Sequence, residues 1–240
     1  MISLIFLVNT LVYVLMVKDA AARDCEGVDG YFTDKIMMDW QAANGYKVKH
    51  QLQIWRLALC GYVHADFWHY FGNMIVFVFY GTLVEWQIGN WHVFNMFNFI
   101  NFFGNVTSLI TNPQQIGIGA STAIYGFIGA VSGAALKQKY GMRSEFFWIY
   151  FPIVFVWNLK SFIENFSGEG DTTSHGSGFW LGFFYVMIWV PDVVWVGGWK
   201  SKYFRECIYW VSVILLATFN AVQCFYFFAF VETQEVTATC

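Results

Sequence analysis

The sequence predicts an all-α, polytopic membrane bundle in one domain spanning residues 1–240. Three observations predict it. Of the 240 residues, 58% are hydrophobic and only 12% charged, where a soluble domain carries about 25% charged residues. Aromatic residues reach 22% and prolines number 3, so apolar helices can run without breakers. Apolar stretches of bilayer-crossing length recur along the chain, joined by connectors rich in Gly, Asn and charge. The lipid bilayer is therefore the expected partner. The net charge of -3 argues against nucleic acid. The five cysteines form no CxxC or Cys/His pattern, so no metal site and no cofactor is expected. Cys25 and Cys60 can pair in an oxidising compartment, a choice the sequence leaves open.

Met1 to Val17 is apolar apart from Ser3, Asn9 and Thr10. It lacks the basic start of a secretory signal and is read as the first span. Lys18 to about Asp66 is a long polar loop with six Lys/Arg and seven Asp/Glu. Tyr31, Phe32, Ile36, Met37 and Trp40 lie among those charges, which predicts a short amphipathic piece at the interface. Further spans are expected at Phe67 to about Glu85, Trp91 to about Ile110, Ser121 to about Leu136, and Phe146 to about Ile163. The last two are expected at His175 to about Val196 and Tyr209 to about Phe230, giving a six-helix core over 1–198 and an extra helix over 205–231.

Basic residues set the expected orientation. With the N-terminus inside, Lys137, Lys139 and Arg143 follow span four, and Lys200, Lys202 and Arg205 follow span six. The outer connector after span three carries no charge, so the short loops obey the positive-inside rule.

The stretch Gly117 to Gly133, GIGASTAIYGFIGAVSG, organises the rest. Gly126, Gly129 and Gly133 share a helical face and admit a close neighbour. Gly178 and Gly182 in span six form a second small-xxx-small pair. Ser121 opens span four, and read alone it is a helix cap or a packing residue. Polar residues on other spans change that reading. Spans two, four and six run in the same direction, and His64, His69, Asn73, Ser121 and His175 all fall near their starts. Ionisable groups at such depth default to function. A serine beside a histidine, with amide donors close by, is the equipment of a nucleophile.

These residues resemble the rhomboid family of intramembrane serine proteases. Trp55-Arg56 is similar to the family's Trp-Arg pair. His64, His69 and Asn73 match its HxxxxHxxxN pattern, and Glu85 with Gly89 matches its ExxxG. Gly119-Ala120-Ser121 matches GxS, and His175 with Gly178 and Gly182 matches HxxGxxxG. Thr122 stands where the family's commonest motif, GxSG, has its last glycine. Ser174 precedes His175, where alanine is frequent. The resemblance implies a rhomboid-like six-helix core plus a C-terminal seventh helix. It also implies Ser121 as nucleophile, His175 as base, and Asn73 with His69 as oxyanion donors. Substrates would be transmembrane segments of other proteins. A rhomboid-like fold can also serve without proteolysis, as a subunit of a larger membrane assembly such as a mitochondrial inner-membrane complex. Asn95, Asn98, Asn101 and Asn105 recur along span three, which predicts interhelical hydrogen bonds or a partner contact. His92, at the start of that span, is expected at the interface.

Overall fold

The computed structural model describes residues 1–25, 27, 30–137, 172–189, 202–236 and 240. The span expected at 146–163 and residues 190–196 of span six lie outside them. Among the described residues the chain is helical. The long helices are α1 (Ile2–Ala22), α5 (Phe67–Ile88), α6 (Asn90–Thr111), α7 (Ser121–Lys137), α8 (Thr172–Trp189) and α9 (Lys202–Phe230). Between α1 and α5 lie three short helices, α2 (Asp34–Asp39), α3 (Gly45–His50) and α4 (Arg56–Leu59), and a tight turn at Cys60–Tyr62. Helices α1, α5 and the 206–230 part of α9 are each long and apolar enough to cross a membrane.

Local chemistry accounts for the boundaries. Asp66 caps α5, its Oδ1 accepting from Trp68 N (2.7 Å) and His69 N (3.0 Å), which satisfies two of the orphan donors of a first turn. Thr33 and Asn44 cap α2 and α3 in the same way. Gly89 ends α5 at φ +84°, a left-handed conformation that glycine adopts at no steric cost. The chain there reverses directly into α6. Glu85, one turn earlier, accepts from the backbone N–H of Ile2 (3.3 Å), joining the start of α1 to the end of α5.

Helix α7 is central, packing against α5, α6 and, most extensively, α8. Phe77, Phe97, Ile100, Phe127 and Ile128 are fully buried around it. The faces turned away from this core carry Leu4, Leu7 and Leu11 on α1 and Trp68, Ile75 and Phe79 on α5. They are apolar because a bilayer, not water, surrounds them. Helix α9 packs on α6 and α8 through a buried polar seam. Thr107 Oγ1 donates to Gln223 Oε1 (2.7 Å), and Gln223 Nε2 to Asn220 Oδ1 (2.9 Å).

The α7–α8 contact is backbone on backbone. A methyl group at Gly182 would land on the Gly126 carbonyl, one at Gly129 on the Phe179 carbonyl, and one at Gly178 on the Thr122 carbonyl. The glycines singled out in the sequence therefore face one another, and no other residue fits at this separation. Thr122 has its own recess: its Cγ2 fills the space where a side chain at Gly104 of α6 would begin.

The first loop is held differently. Arg56 is buried, its guanidinium donating to Met38 O (2.7 Å), Ala42 O (3.0 Å) and Gln53 Oε1 (2.5 Å). Burial lowers its pKa from the ordinary value, yet an arginine remains charged. Trp55 is half exposed and donates from Nε1 to Gln41 Oε1 (2.9 Å). A pairing the sequence left open is decided here. Cys25 pairs with Cys240, 215 residues away, and not with Cys60. The Cys60 thiol is buried in the loop and donates to Leu57 O (3.4 Å).

Candidate active site

Ser121 is the first residue of α7 and His175 lies one turn inside α8. The glycine-to-glycine contact sets their separation. His175 Nε2 is 2.8 Å from Ser121 Oγ, hydrogen-bond distance for a serine hydroxyl on an imidazole. Tyr125 stacks on the His175 ring, with centroids 4.3 Å apart and planes 10° apart. This second support for the imidazole was missed in the sequence. The signal existed, since Tyr125 is four residues after Ser121 and shares its helical face.

Donors approach from α5. Segment 116–120 reaches Ser121 across the starts of α5 and the first loop. Gly117 exchanges hydrogen bonds with Ala43 (2.8 and 2.9 Å), and Gly119 N donates to Cys60 O (3.0 Å). At Gly119, φ is +100°. A side chain there would begin 2.9 Å from the His69 ring and 3.4 Å from Asn73 Nδ2. Glycine is required on both counts. Asn73 Nδ2 is buried and has no hydrogen-bond partner among the described residues. The backbone N–H of Ala65 points to His69 Nδ1 (3.5 Å). Nδ1 therefore accepts, and in the neutral ring the proton sits on Nε2, the nitrogen beside Gly119. The N-terminal dipole of α7 adds positive potential at Ser121.

His64 lies behind this group, fully buried, edge-on to His69 (5.2 Å) and Tyr70 (5.6 Å). Burial, with the neighbouring His69, pushes its pKa down to about 3. It is a neutral packing residue at physiological pH. The asparagine stripe on α6 divides. Asn95 is exposed and Asn98 donates to Phe94 O of its own helix (2.9 Å). Asn101 and Asn105 are buried beneath the first loop. Asn101 packs on Gly61, and Asn105 donates to Leu57 O (3.4 Å) and Asn101 O (2.7 Å). His92 pairs with Tyr185 of α8 (3.2 Å) at the far end of the bundle. No group of three potential metal ligands occurs among the described residues.

The Rhomboid domain family model matches residues 51–192. Among similar curated proteins, RHOMBOID-like protein 1 of Arabidopsis thaliana is 27% identical over 146 residues, covering 58% of this chain and 36% of that protein. Rhomboid-like protease 3 of Toxoplasma gondii is 22% identical over 166 residues, 69% of this chain and 63% of that one. Inactive RHOMBOID-like protein 8 of Arabidopsis thaliana is 27% identical over 127 residues, 51% and 36% of the two chains. The matches thus span less than two thirds of each relative's length. The family match runs from the first loop to the end of α8, across every motif gathered around Ser121, and the chain belongs to the rhomboid family.

Proposed function

We propose that this rhomboid is an intramembrane serine endopeptidase that cleaves transmembrane segments of other proteins with a Ser121–His175 dyad. The 2.8 Å contact between Ser121 Oγ and His175 Nε2 carries the reading. Ser121 Oγ attacks the scissile carbonyl carbon as its proton passes to His175 Nε2. The resulting oxyanion takes hydrogen bonds from Asn73 Nδ2, His69 Nε2–H and the backbone N–H of Ser121. The imidazolium then protonates the leaving amine, and the C–N bond breaks. Water, deprotonated by His175, attacks the acyl carbon, and the C–Oγ bond breaks as the imidazolium returns its proton to Ser121 Oγ, releasing the new carboxyl end. Tyr125, stacked on the ring, helps to orient it.

In this reading residues 1–198 form the core and 205–231 an additional seventh span of one domain. The N-terminus faces the cytoplasm or matrix and the site opens near the outer face. A second reading, a structural or binding subunit of a membrane assembly such as a mitochondrial inner-membrane complex, is favoured by the relative whose name marks it inactive. The test uses native membranes and purified protein with a fluorophosphonate serine probe and a reporter transmembrane segment. The protease takes up probe and cuts the reporter, and Ser121→Ala abolishes both while the protein stays folded. Folded wild type that takes up no probe and cuts nothing establishes the subunit reading.

A further inference from the structure

We infer that the face of the bundle carrying Ser121 lies in an oxidising compartment, and that a disulfide there straps the segment after α9 across the first loop. The inference is independent of whether Ser121 acts as a nucleophile. Helix α1 starts beside Glu85 at the last turn of α5, so it ends at the face where α5 begins and where Ser121 sits. Cys25 lies just beyond that end. Helix α9 finishes at the same face, where Phe227 and Val231 are buried with Val48, Leu57, Val106 and Leu109.

From there the chain crosses the loop through contacts on both sides. Lys49 Nζ donates to Val231 O (2.5 Å). Gly45 of α3 is backed by Thr233, whose Cγ2 lies 2.9 Å from where a side chain would begin. Gln234 N donates to Gln114 Oε1 (3.1 Å), in the connector between α6 and α7. The Cys25–Cys240 bond, with a Cα–Cα separation of 4.8 Å, closes the strap. The strap packs on α3 and α4, and the turn after α4 accepts from Gly119 N through its Cys60 carbonyl, so the strap bears on the loop that holds the segment before Ser121.

Cys207 is exposed and unpaired near the start of α9, at the opposite face. Disulfides form and persist in oxidising compartments, whereas a reducing compartment keeps thiols free. In forming the bond the two thiols release two protons and two electrons. A disulfide-bearing oxidant accepts them and is reduced to a dithiol.

The test starts from native membranes alkylated with N-ethylmaleimide without reductant, then digested with trypsin. Mass spectrometry should find the peptide Asp24–Lys35 joined to the peptide that carries Cys240, and reduction should separate them. Thermal unfolding is then compared for wild type with and without reductant, Cys25→Ser, Cys240→Ser and the double variant. Each perturbation should lower Tm by the same amount, roughly 5–15 °C. The two substitutions should not add, since they break one bond, and reductant should not move the double variant. Cys25 and Cys240 both alkylated before reduction would overturn the whole inference. A disulfide that is present but whose reduction leaves Tm unchanged would overturn the strap.

Discussion

The α7–α8 pair and the first loop both hold the candidate site, by opposite means. The helix pair uses absence. Gly126, Gly129, Gly178 and Gly182 carry no side chains, the backbones touch, and Ser121 and His175 meet at 2.8 Å. The loop uses presence. Arg56 donates to the buried carbonyls of Met38 and Ala42, Trp55 to Gln41, and Asn105 of α6 reaches in to Leu57 O. The contrast follows from the surroundings. Within a bilayer there is no hydrophobic drive between helices, so close van der Waals contact must bring them together. At the interface irregular backbone carries unpaired polar groups, and side chains must satisfy them.

The contrast is broken most severely at Gly182. Replacing it with Leu puts a side chain where the Gly126 carbonyl lies. Overpacking typically costs 1–3 kcal/mol, occasionally more, and backbone leaves nowhere to yield. Gly182→Leu and Gly178→Leu should lose all cleavage and much thermal stability. Retention of both would show that the helices tolerate separation.

The chemistry separates from the packing at Asn73. Asn73→Ala should slow reporter cleavage about 10²–10³-fold, the usual loss for one oxyanion donor. Its Tm should change little, because Nδ2 has no partner among the described residues to lose. A large Tm drop with unchanged turnover would reassign Asn73 to structure.

In the loop the sensitive residue is Arg56. Arg56→Met strands the carbonyls of Met38 and Ala42, at about 1–3 kcal/mol for a buried unsatisfied group. Arg56→Lys should recover part of this, since an ammonium still donates but lacks the planar fork. Equal loss from both variants, read by denaturant or thermal unfolding, would show that charge and hydrogen bonding contribute nothing there.

The effect that is smallest at neutral pH lies in the pH dependence of stability. His64 has a pKa of about 3 in the folded protein, below its ordinary value of about 6.5. The unfolded chain therefore binds the proton first. The stability from neutral His64 is fully present above about pH 6.5 and is lost as pH falls towards 3, at about 1.4 kcal/mol per unit. His64→Gln should flatten that slope between about pH 6.5 and 4. An unchanged slope would place the titration elsewhere.

Much of this was legible because it is local. The expected spans at Phe67, Trp91 and Ser121 begin within a residue or two of α5, α6 and α7. Apolar runs, the Asp66 cap and Gly89 act on their own neighbourhood. Helix α1 continues to Ala22, past the expected end at Val17, because Lys18 and Asp19 prolong it at the interface. Helix α8 begins at Thr172, so His175 is inside a turn and not at its edge.

The sequence by itself determined the fold class and the list of groups that converge near Ser121, because helical periodicity and depth follow from local composition. Only the tertiary structure decided who meets whom. Tyr125 stacks on His175, Asn105 bonds helix α4 of the first loop while Asn101 packs on Gly61, Thr122 sits opposite Gly104, and Cys25 joins Cys240. Each of these pairings links residues far apart in the chain, or chooses among several equivalent partners. Such a choice is made by the packing of whole helices, whose relative positions no single stretch of sequence contains.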